Sequence, residues 1–547
     1  MSQIDWSVLS GPYVSRRTMM KLAAATGAAG FATWLTAAER ATAAPHRRSP
    51  APGMTAFQEA KQGGTLNLGF GLGQIPTLDP AQVTLGIVAG ELVANLFSGL
   101  VQFDEQLGLI PDLAETWEVS PDGLQYTFHL RQGLTFHNGD PLTADDVIYT
   151  YERTINPDFA SSQANKLALI TDITAPDPQT VAITQSAPYA PFLATACSRG
   201  PGRALIPVPR RAIEELGDQQ FGMTPVGSGP FKIVPETAEV GRGFEMVAFD
   251  GWYGGRPLLD KVIVRLIAEE SSRISALEAG DVDMLDIAPP IGIEQLKENT
   301  DIVLVESPGT NWYGLTMNQK RPPWDKPEAR MAVAKAFDRQ DFVAKALFGL
   351  AVPSVGPLAP AFGWVYRPPE DVDDPQAFNL DEAKALAEQA GLSGLKPILI
   401  AGSDDPRPAQ VARGVLAEIG LDVQIEQAQT AAYVERRTAG DYDMTFLGSV
   451  VDADPDDGVW NYFHSEGPSN SNGYNNPKAD ELVDGQRRTA DQAERQRLLH
   501  ELQTLVASDA VYAFLYHEPD RTAFYDYVKG YVPIPEQRYL EKVWLDK

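Results

Sequence analysis

The stretch from Lys396 to Val450 limits the possible folds most sharply. It reads KPILIAG (Lys396–Gly402), a helical segment over 408–419 closed by Gly420, LDVQIEQ (Leu421–Gln427), a second helical segment over 430–437 ending near Gly440, and MTFLGSV (Met444–Val450). Short strand-like runs separated by helices make a βαβαβ unit. Its strands must run parallel, joined by right-handed crossovers. Sheets of this kind bind ligands beyond the carboxyl ends of their strands. The segment leaving the third strand is VDADPDDGVWNYFHS, with Asp452 and Asp454 first and Trp460 close behind. That is where the pattern alone places a site.

The chain has 547 residues. Single cores stop growing near roughly 250–300 residues, so two or more lobes are required. GGTLNLGF (Gly63–Phe70) and KVIVRLI (Lys261–Ile267) read as further strands. TWEVSPDGLQYTFHLRQGLTF (Thr116–Phe136) reads as a hairpin turning at Pro121-Asp122-Gly123, with Tyr126, Phe128 and Leu130 on one face. TADDVIYTYER starts a helix, with Thr143 as its cap and acids in the first turn.

The first residues are different. In SRRTMMKLAAATGAAGFATWL, Arg16, Arg17 and Lys21 precede an apolar run from Leu22 to Leu35, and small residues follow at Ala41-Thr42-Ala43-Ala44. Basic, apolar and small segments in this order predict a secretory signal over 1–44. The apolar run is short of the roughly 20 residues that a membrane span needs. Ser-Arg-Arg-x-x-x-Lys predicts twin-arginine export, with Arg16 and Arg17 as the recognised pair. No cysteine near the cleavage region offers a lipid anchor, and 45–62 reads as a flexible leader.

The formal charge of -28 excludes nucleic acid and anionic lipid heads as partners. A single cysteine, Cys197, forms no intramolecular disulfide, and the six histidines make no HExxH or HxH cluster. No P-loop and no GxSxG is present. The expectation is therefore no metal, no cofactor and no common hydrolase or metalloenzyme chemistry. His129 and His137 flank the hairpin and are expected to hydrogen-bond locally. Gly227, Gly229 and Pro230 in VGSGP serve as backbone punctuation, since no helix follows to hold a phosphate.

Several stretches carry a resemblance. The longest runs from Leu92 to Arg153, with Pro111-Asp112-Leu113-Ala114-Glu115, Phe128-His129-Leu130-Arg131 and Phe136-His137-Asn138-Gly139 as its core. VGSGPFKI (Val226–Ile233), WYGGRPLLDKVIVR (Trp252–Arg265), ALEAGDVDM (Ala276–Met284) and ARMAVAKAFDRQ (Ala329–Gln340) follow in order. This series resembles the extracytoplasmic solute-binding proteins of ABC importers, in the oligopeptide/dipeptide/nickel/opine-binding family (family 5). The resemblance implies an α/β, two-lobed periplasmic-binding-protein fold of type II, in the large three-subdomain variant with mixed sheets. Lobe I would take 63–308 with the extra subdomain, lobe II 309–516, and 517–547 would return to lobe I. It further implies a periplasmic monomer that closes around a small molecule or peptide and delivers it to an ABC permease and its ATPase.

The same resemblance points to residues. Asp452 stands where peptide-binding members hold the peptide's α-ammonium, and Asp454 is the alternative anchor. Arg437 matches a place where some members put a cation near the ligand. Asn311, Trp312 and Tyr313 stand where the chain crosses between lobes, and their aromatics line the cavity or pack in the core. Read from the residues alone, Trp364 and Arg367 in AFGWVYRPP form a second loop cluster, with Arg367 a candidate for a ligand carboxylate. Two departures leave the ligand open. Ser449 replaces a frequent pocket tryptophan, and the loop from Asp452 to Pro455 is one residue short. An opine, a sugar, a metal chelate or another amine therefore stand beside a peptide. A secreted enzyme using Asp452 and Asp454 as acid and base is a competing class, and a chaperone-like peptide binder is another.

Overall fold

The computed structural model describes residues 60–402, 406–449 and 454–547. The signal and leader, with Arg16 and Arg17, lie outside the described residues, as does Asp452. Strand β1 (Thr65–Phe70) opens the described chain. An antiparallel sheet of β2 (Ala114–Val119), β3 (Gln125–Leu130), β4 (Ile170–Asp177) and β5 (Thr180–Gln185) follows in the order β2-β3-β5-β4. Its first hairpin turns where the sequence predicts: the Asp122 carboxylate accepts from the Leu124 amide at 3.1 Å. Helix α1 (Ala144–Ile155) begins with a reciprocal cap between Thr143 and Asp146, which satisfies two otherwise orphaned amides.

The chain then returns beside β1 through β6 (Phe231–Ile233), β7 (Gly243–Ala248), β8 (Lys261–Leu266), β9 (Met284–Leu285) and β10 (Ile302–Ser307). It crosses to a second sheet and builds β11 (Trp312–Met317), β12 (Val352–Pro353), β13 (Ile398–Gly402), β14 (Gln424–Ala428), β15 (Met444–Ser449) and β16 (Tyr512–His517). It crosses back for β17 (Asp520–Tyr525). The first sheet has the order β10-β17-β9-β1-β8-β7-β6, and the second β12-β16-β11-β15-β13-β14.

The βαβαβ unit forms as its pattern requires. Helix α2 (Arg407–Ala417) joins β13 to β14, and α3 (Thr430–Ala439) joins β14 to β15. Both neighbours of β13 run parallel to it. Gly420 and Gly440, which close these helices, have positive φ values of 85° and 69°. Because α3 runs back along the sheet, its last turn lies at the end where β15 begins. Beyond β15 come α4 (Pro455–Phe463), α5 (Pro477–Arg488) and α6 (Gln492–Ser508). Each sheet buries its own apolar cluster, around Leu66, Phe70 and Val264 in the first and Leu315, Leu399 and Met444 in the second. Among the described residues, no helix is long and apolar enough to cross a membrane.

Candidate functional site

The two crossings between the sheets are stitched together by one side chain. Asn311 is buried; its Nδ2 donates to the Glu518 carbonyl at 2.9 Å, and its Oδ1 accepts from the Glu518 amide at 2.8 Å. The Asn311 carbonyl accepts from His517 Nδ1 at 2.7 Å. Burial pushes the His517 imidazole down to about 4, so it stays neutral with its proton on Nδ1. Asn311 thus acts as a main-chain clamp between the crossings.

Strand alternation then separates the next two residues. Trp312 is fully buried, within 5.6 Å centroid to centroid of Tyr462, Phe463, Tyr512 and Phe514. It is core, as the packing alternative held. Tyr313 points to the other face and stacks on Tyr516 at 4.9 Å. Opposite Tyr313 in the ladder stands Gly448, where a Cβ would lie 2.2 Å from the tyrosine ring. Burial pushes the Tyr313 phenol well above its usual range, with the Glu518 carboxylate adding to the effect. Ser449 pairs with Trp312 at this same end of the sheet, and the chain is described again from Asp454.

The 361–368 loop packs against the crossings. The Ala361 amide donates to the Gly309 carbonyl, and Tyr366 meets His517 edge-on at 6.1 Å. Arg367 follows directly. Its Nε and Nη2 are buried and have no hydrogen-bond partner among the described residues. A guanidinium with unused donors is the kind of group that a carboxylate takes in bidentate fashion.

Asp454 has a different occupation. It caps α4 by accepting from the Asp456 amide at 2.8 Å, and both its oxygens accept from Arg495, one at 2.8 Å. Arg495 also donates to Gln486 Oε1 at 3.0 Å and lies 5.4 Å over the Trp364 ring. Trp364, Asp454 and Arg495 form one side of a cavity of about 490 Å³, and Phe103, Tyr126 and Tyr189 form the other. Behind it, the Tyr189 hydroxyl donates to Asp456 at 3.1 Å, and Arg487 covers Trp460 at 4.7 Å and Tyr189 at 5.0 Å. Burial pushes the Asp456 carboxyl up, opposed by the Arg487 charge. Trp364, Asp454 and Trp460 therefore gather at one interface, while Arg437, on the last turn of α3, lines a second cavity with Asn318, Lys320 and Ser469. Arg495, Tyr189 and Arg487 give no sign of this role in the sequence, since each meets its partner across a long separation.

His137 behaves as scaffold, whereas the exposed His129 ring makes no hydrogen bond among the described residues, against expectation. His137 Nδ1 accepts from the Gly227 amide at 3.1 Å, so Nε2 carries the proton and donates to the Gly229 carbonyl at 3.1 Å. Burial pushes His137 down to about 4. No group of acids, cysteine and histidines among the described residues has the geometry of a metal site.

Known proteins share this architecture. The sequence profile of the bacterial extracellular solute-binding proteins, family 5 (middle region), matches residues 108–470. The chain is 31% identical to the probable D,D-dipeptide-binding periplasmic protein DdpA of Escherichia coli K12, over 84% of this chain and 90% of that one. The structure of the periplasmic binding protein DppA of Helicobacter pylori, in complex with the peptide STSA, matches at 29% identity with a TM-score of 0.77, covering 89% of this chain and 99% of the other. That of AgaA from A. tumefaciens R10, in complex with agropinic acid, matches at 29% identity and a TM-score of 0.75, covering 88% and 99%. With the two crossings, the separate sheets and a profile match over most of its length, the chain belongs to the family 5 bacterial extracellular solute-binding proteins, and it is the substrate-binding component of an ABC importer.

Proposed function

We propose that the protein captures, outside the inner membrane, a peptide or related solute bearing both an amine and a carboxylate, and presents it to an ABC permease and its ATPase. The observation that carries the carboxylate half is Arg367, whose buried Nε and Nη2 have no partner among the described residues. DdpA and DppA, named for dipeptides and crystallised with a peptide respectively, support the same ligand class. Asp452 is the proposed amine anchor, lobe I is 63–308 with 517–547, lobe II is 309–516, and the receptor works as a monomer. An opine is the second reading, favoured by the similarity to AgaA, whose agropinic acid also bears carboxylate. An enzyme is disfavoured, because Asp454 is held in an ion pair with Arg495 and is not a free partner for Asp452 in acid–base work. No metal is needed, so chelator treatment leaves affinity intact.

Native mass spectrometry of freshly purified protein identifies the co-purified solute. With that solute, Arg367→Gln strands a buried carboxylate, which typically costs about 2–5 kcal/mol, or roughly 30-fold or more in affinity. Unchanged affinity in Arg367→Gln overturns the carboxylate reading. Export by the twin-arginine route belongs to the same proposal and rests on Arg16 and Arg17. Normal export of the Arg16→Lys, Arg17→Lys double variant refutes it without touching the ligand.

A further inference from the structure

Among the described residues, the chain passes between the two large sheets only at the crossings, so other contacts between the lobes are free to form and break. One short loop carries a dense set of them. Pro188-Tyr189-Ala190-Pro191 lies between β5 and β6, on the lobe I side. The proline rings fix φ at two of its positions, and Pro191 biases Ala190 toward extended backbone. The buried Tyr189 hydroxyl donates to Asp456 at 3.1 Å, and the Ala190 amide donates to the Arg487 carbonyl at 2.7 Å. From the same side, Lys166 approaches Asp457 at 3.7 Å.

Each half of this contact is assembled without the other. On the lobe II side, Asp456 in the first turn of α4 accepts from Gln486 Nε2 and pairs with Arg487 at 3.2 Å, both on α5. The Arg487 guanidinium lies 4.7 Å over the Trp460 ring of α4. These partners all belong to lobe II, so the acid stays held when the lobes part. From lobe I come only the Tyr189 hydroxyl and the Tyr189 ring, 5.0 Å from the same guanidinium. Arg487 is also in the last turn of α5, whose carbonyls have no partner within the helix, and the Ala190 amide satisfies one of them. On the lobe I side, the Tyr126 hydroxyl donates to the Tyr189 carbonyl, and the Thr195 hydroxyl to the Tyr189 hydroxyl, both at 3.4 Å. The wall of the 490 Å³ cavity takes in Tyr189 but neither Asp456 nor Arg487.

We propose that the 188–191 loop is a latch: it seats on the corner between α4 and α5 when the lobes meet, and it sets how long a bound solute is held. This rests on the two-lobe receptor reading above. Tyr189, Asp456 and Arg487 act in it as positioning residues, through the closed state. A bond present only in that state shifts the opening equilibrium by its own worth, and apparent affinity follows the closed fraction. Because both halves are held beforehand, latching orders few side chains and its entropic cost is small.

The test divides freshly purified chain in two and strips one half of solute by unfolding in urea, dialysis and refolding. Hydrogen exchange then follows the Ala190 amide. In the stripped wild type this amide is far less protected than amides of β3, and in the kept half its protection rises. Tyr189→Phe removes only the hydroxyl. It lowers Ala190 protection roughly tenfold, the scale of one hydrogen bond to a charged group. On dialysis of the kept half, native mass spectrometry shows the bound mass adduct leaving about tenfold faster than from wild type. The urea midpoint of the stripped variant stays at the wild-type value, because the bond is absent from the open state, whereas a merely structural role lowers it. Arg487→Gln, outside the cavity wall, also speeds loss of the adduct, and Arg487→Lys does so less. Ala190 protection equal to that of β3 in the stripped wild type shows a fixed interface and overturns the latch, as does wild-type retention of the adduct by Tyr189→Phe. Absence of any adduct from the kept wild type counts against the receptor reading instead, and the effect of Tyr189→Phe on Ala190 protection still decides the latch.

Discussion

Replacing Asp454 by Asn separates two roles for this acid. Asn retains the helix cap, since its side-chain oxygen still accepts from the Asp456 amide. What is lost is the charge facing Arg495, and the two side chains are only 10% and 9% exposed. Removing one partner of a buried pair typically costs about 3–5 kcal/mol, because the other charge is left desolvated. Arg495 keeps its bond to Gln486 and its contact with Trp364, so the loss falls near the lower end, about 3 kcal/mol. Urea unfolding followed by tryptophan fluorescence reads this as a lowered midpoint at constant slope. Asp454→Asn with Arg495→Met recovers much of the loss, because neither charge is then stranded. Solute affinity stays within about threefold of wild type, well under 1.4 kcal/mol. The reasoning fails if stability is unchanged. Intact stability with a large loss of affinity assigns Asp454 to the ligand's amine instead.

Further outcomes follow from the crossings and their surroundings. Asn311→Ala leaves the Glu518 amide and carbonyl without their partner, costing about 1–3 kcal/mol for each that stays dry, and hydrogen exchange at the Glu518 amide accelerates; unchanged protection refutes the clamp. Gly448→Ala drives a methyl group to 2.2 Å from the Tyr313 ring, so the Tyr313–Tyr516 stack must shift, costing about 1–3 kcal/mol; a crystal structure with an undisturbed stack contradicts this. His517 has a folded pKa of about 4, depressed by burial. Its stabilising contribution is present above the unfolded value near 6.5 and is lost as pH falls toward 4, by up to about 3 kcal/mol. Asp112, raised to about 6, acts with the opposite sign in that range, so the measurement is the difference between wild type and His517→Gln, which narrows on acidification.

How far the sequence could be read depended on the range of the forces involved. The βαβαβ order, the Pro121–Gly123 turn, the Thr143 cap and the helix stops at Gly420 and Gly440 are set by neighbours a few residues apart, and all are present in the structure. The crossings between sheets were legible only through the family resemblance. Within them, alternation sends Trp312 inward and Tyr313 outward, but which face is core depends on helices more than a hundred residues away. Asp454 read as a free loop acid because its partner, Arg495, is separated from it by two helices. Arg437 read as a ligand cation only through the resemblance; the structure shows it on the last turn of α3, lining a cavity with Lys320 and Ser469.

The most recognisable motif illustrates a general point about such resemblances. In Pro111-Asp112-Leu113-Ala114-Glu115, Asp112 is fully buried. One of its oxygens accepts from the Gly99 amide at 2.8 Å and the other from the Tyr253 hydroxyl at 2.6 Å, while its carbonyl accepts from Arg131 Nε at 2.7 Å. Burial pushes its carboxyl up to about 6, against the pull of the Arg199 charge. A carboxylate so placed ties its own segment to those of Gly99 and Tyr253. His137 does the same for the Gly227–Gly229 loop. Motifs made of such staples specify the scaffold, because losing a partner strands a desolvated group. Arg367, which leaves two buried donors unused among the described residues, lies instead in a loop, where the sequence is free to differ without unfolding the protein. A strong match along the signature segment therefore fixes the class of work while saying little about the solute.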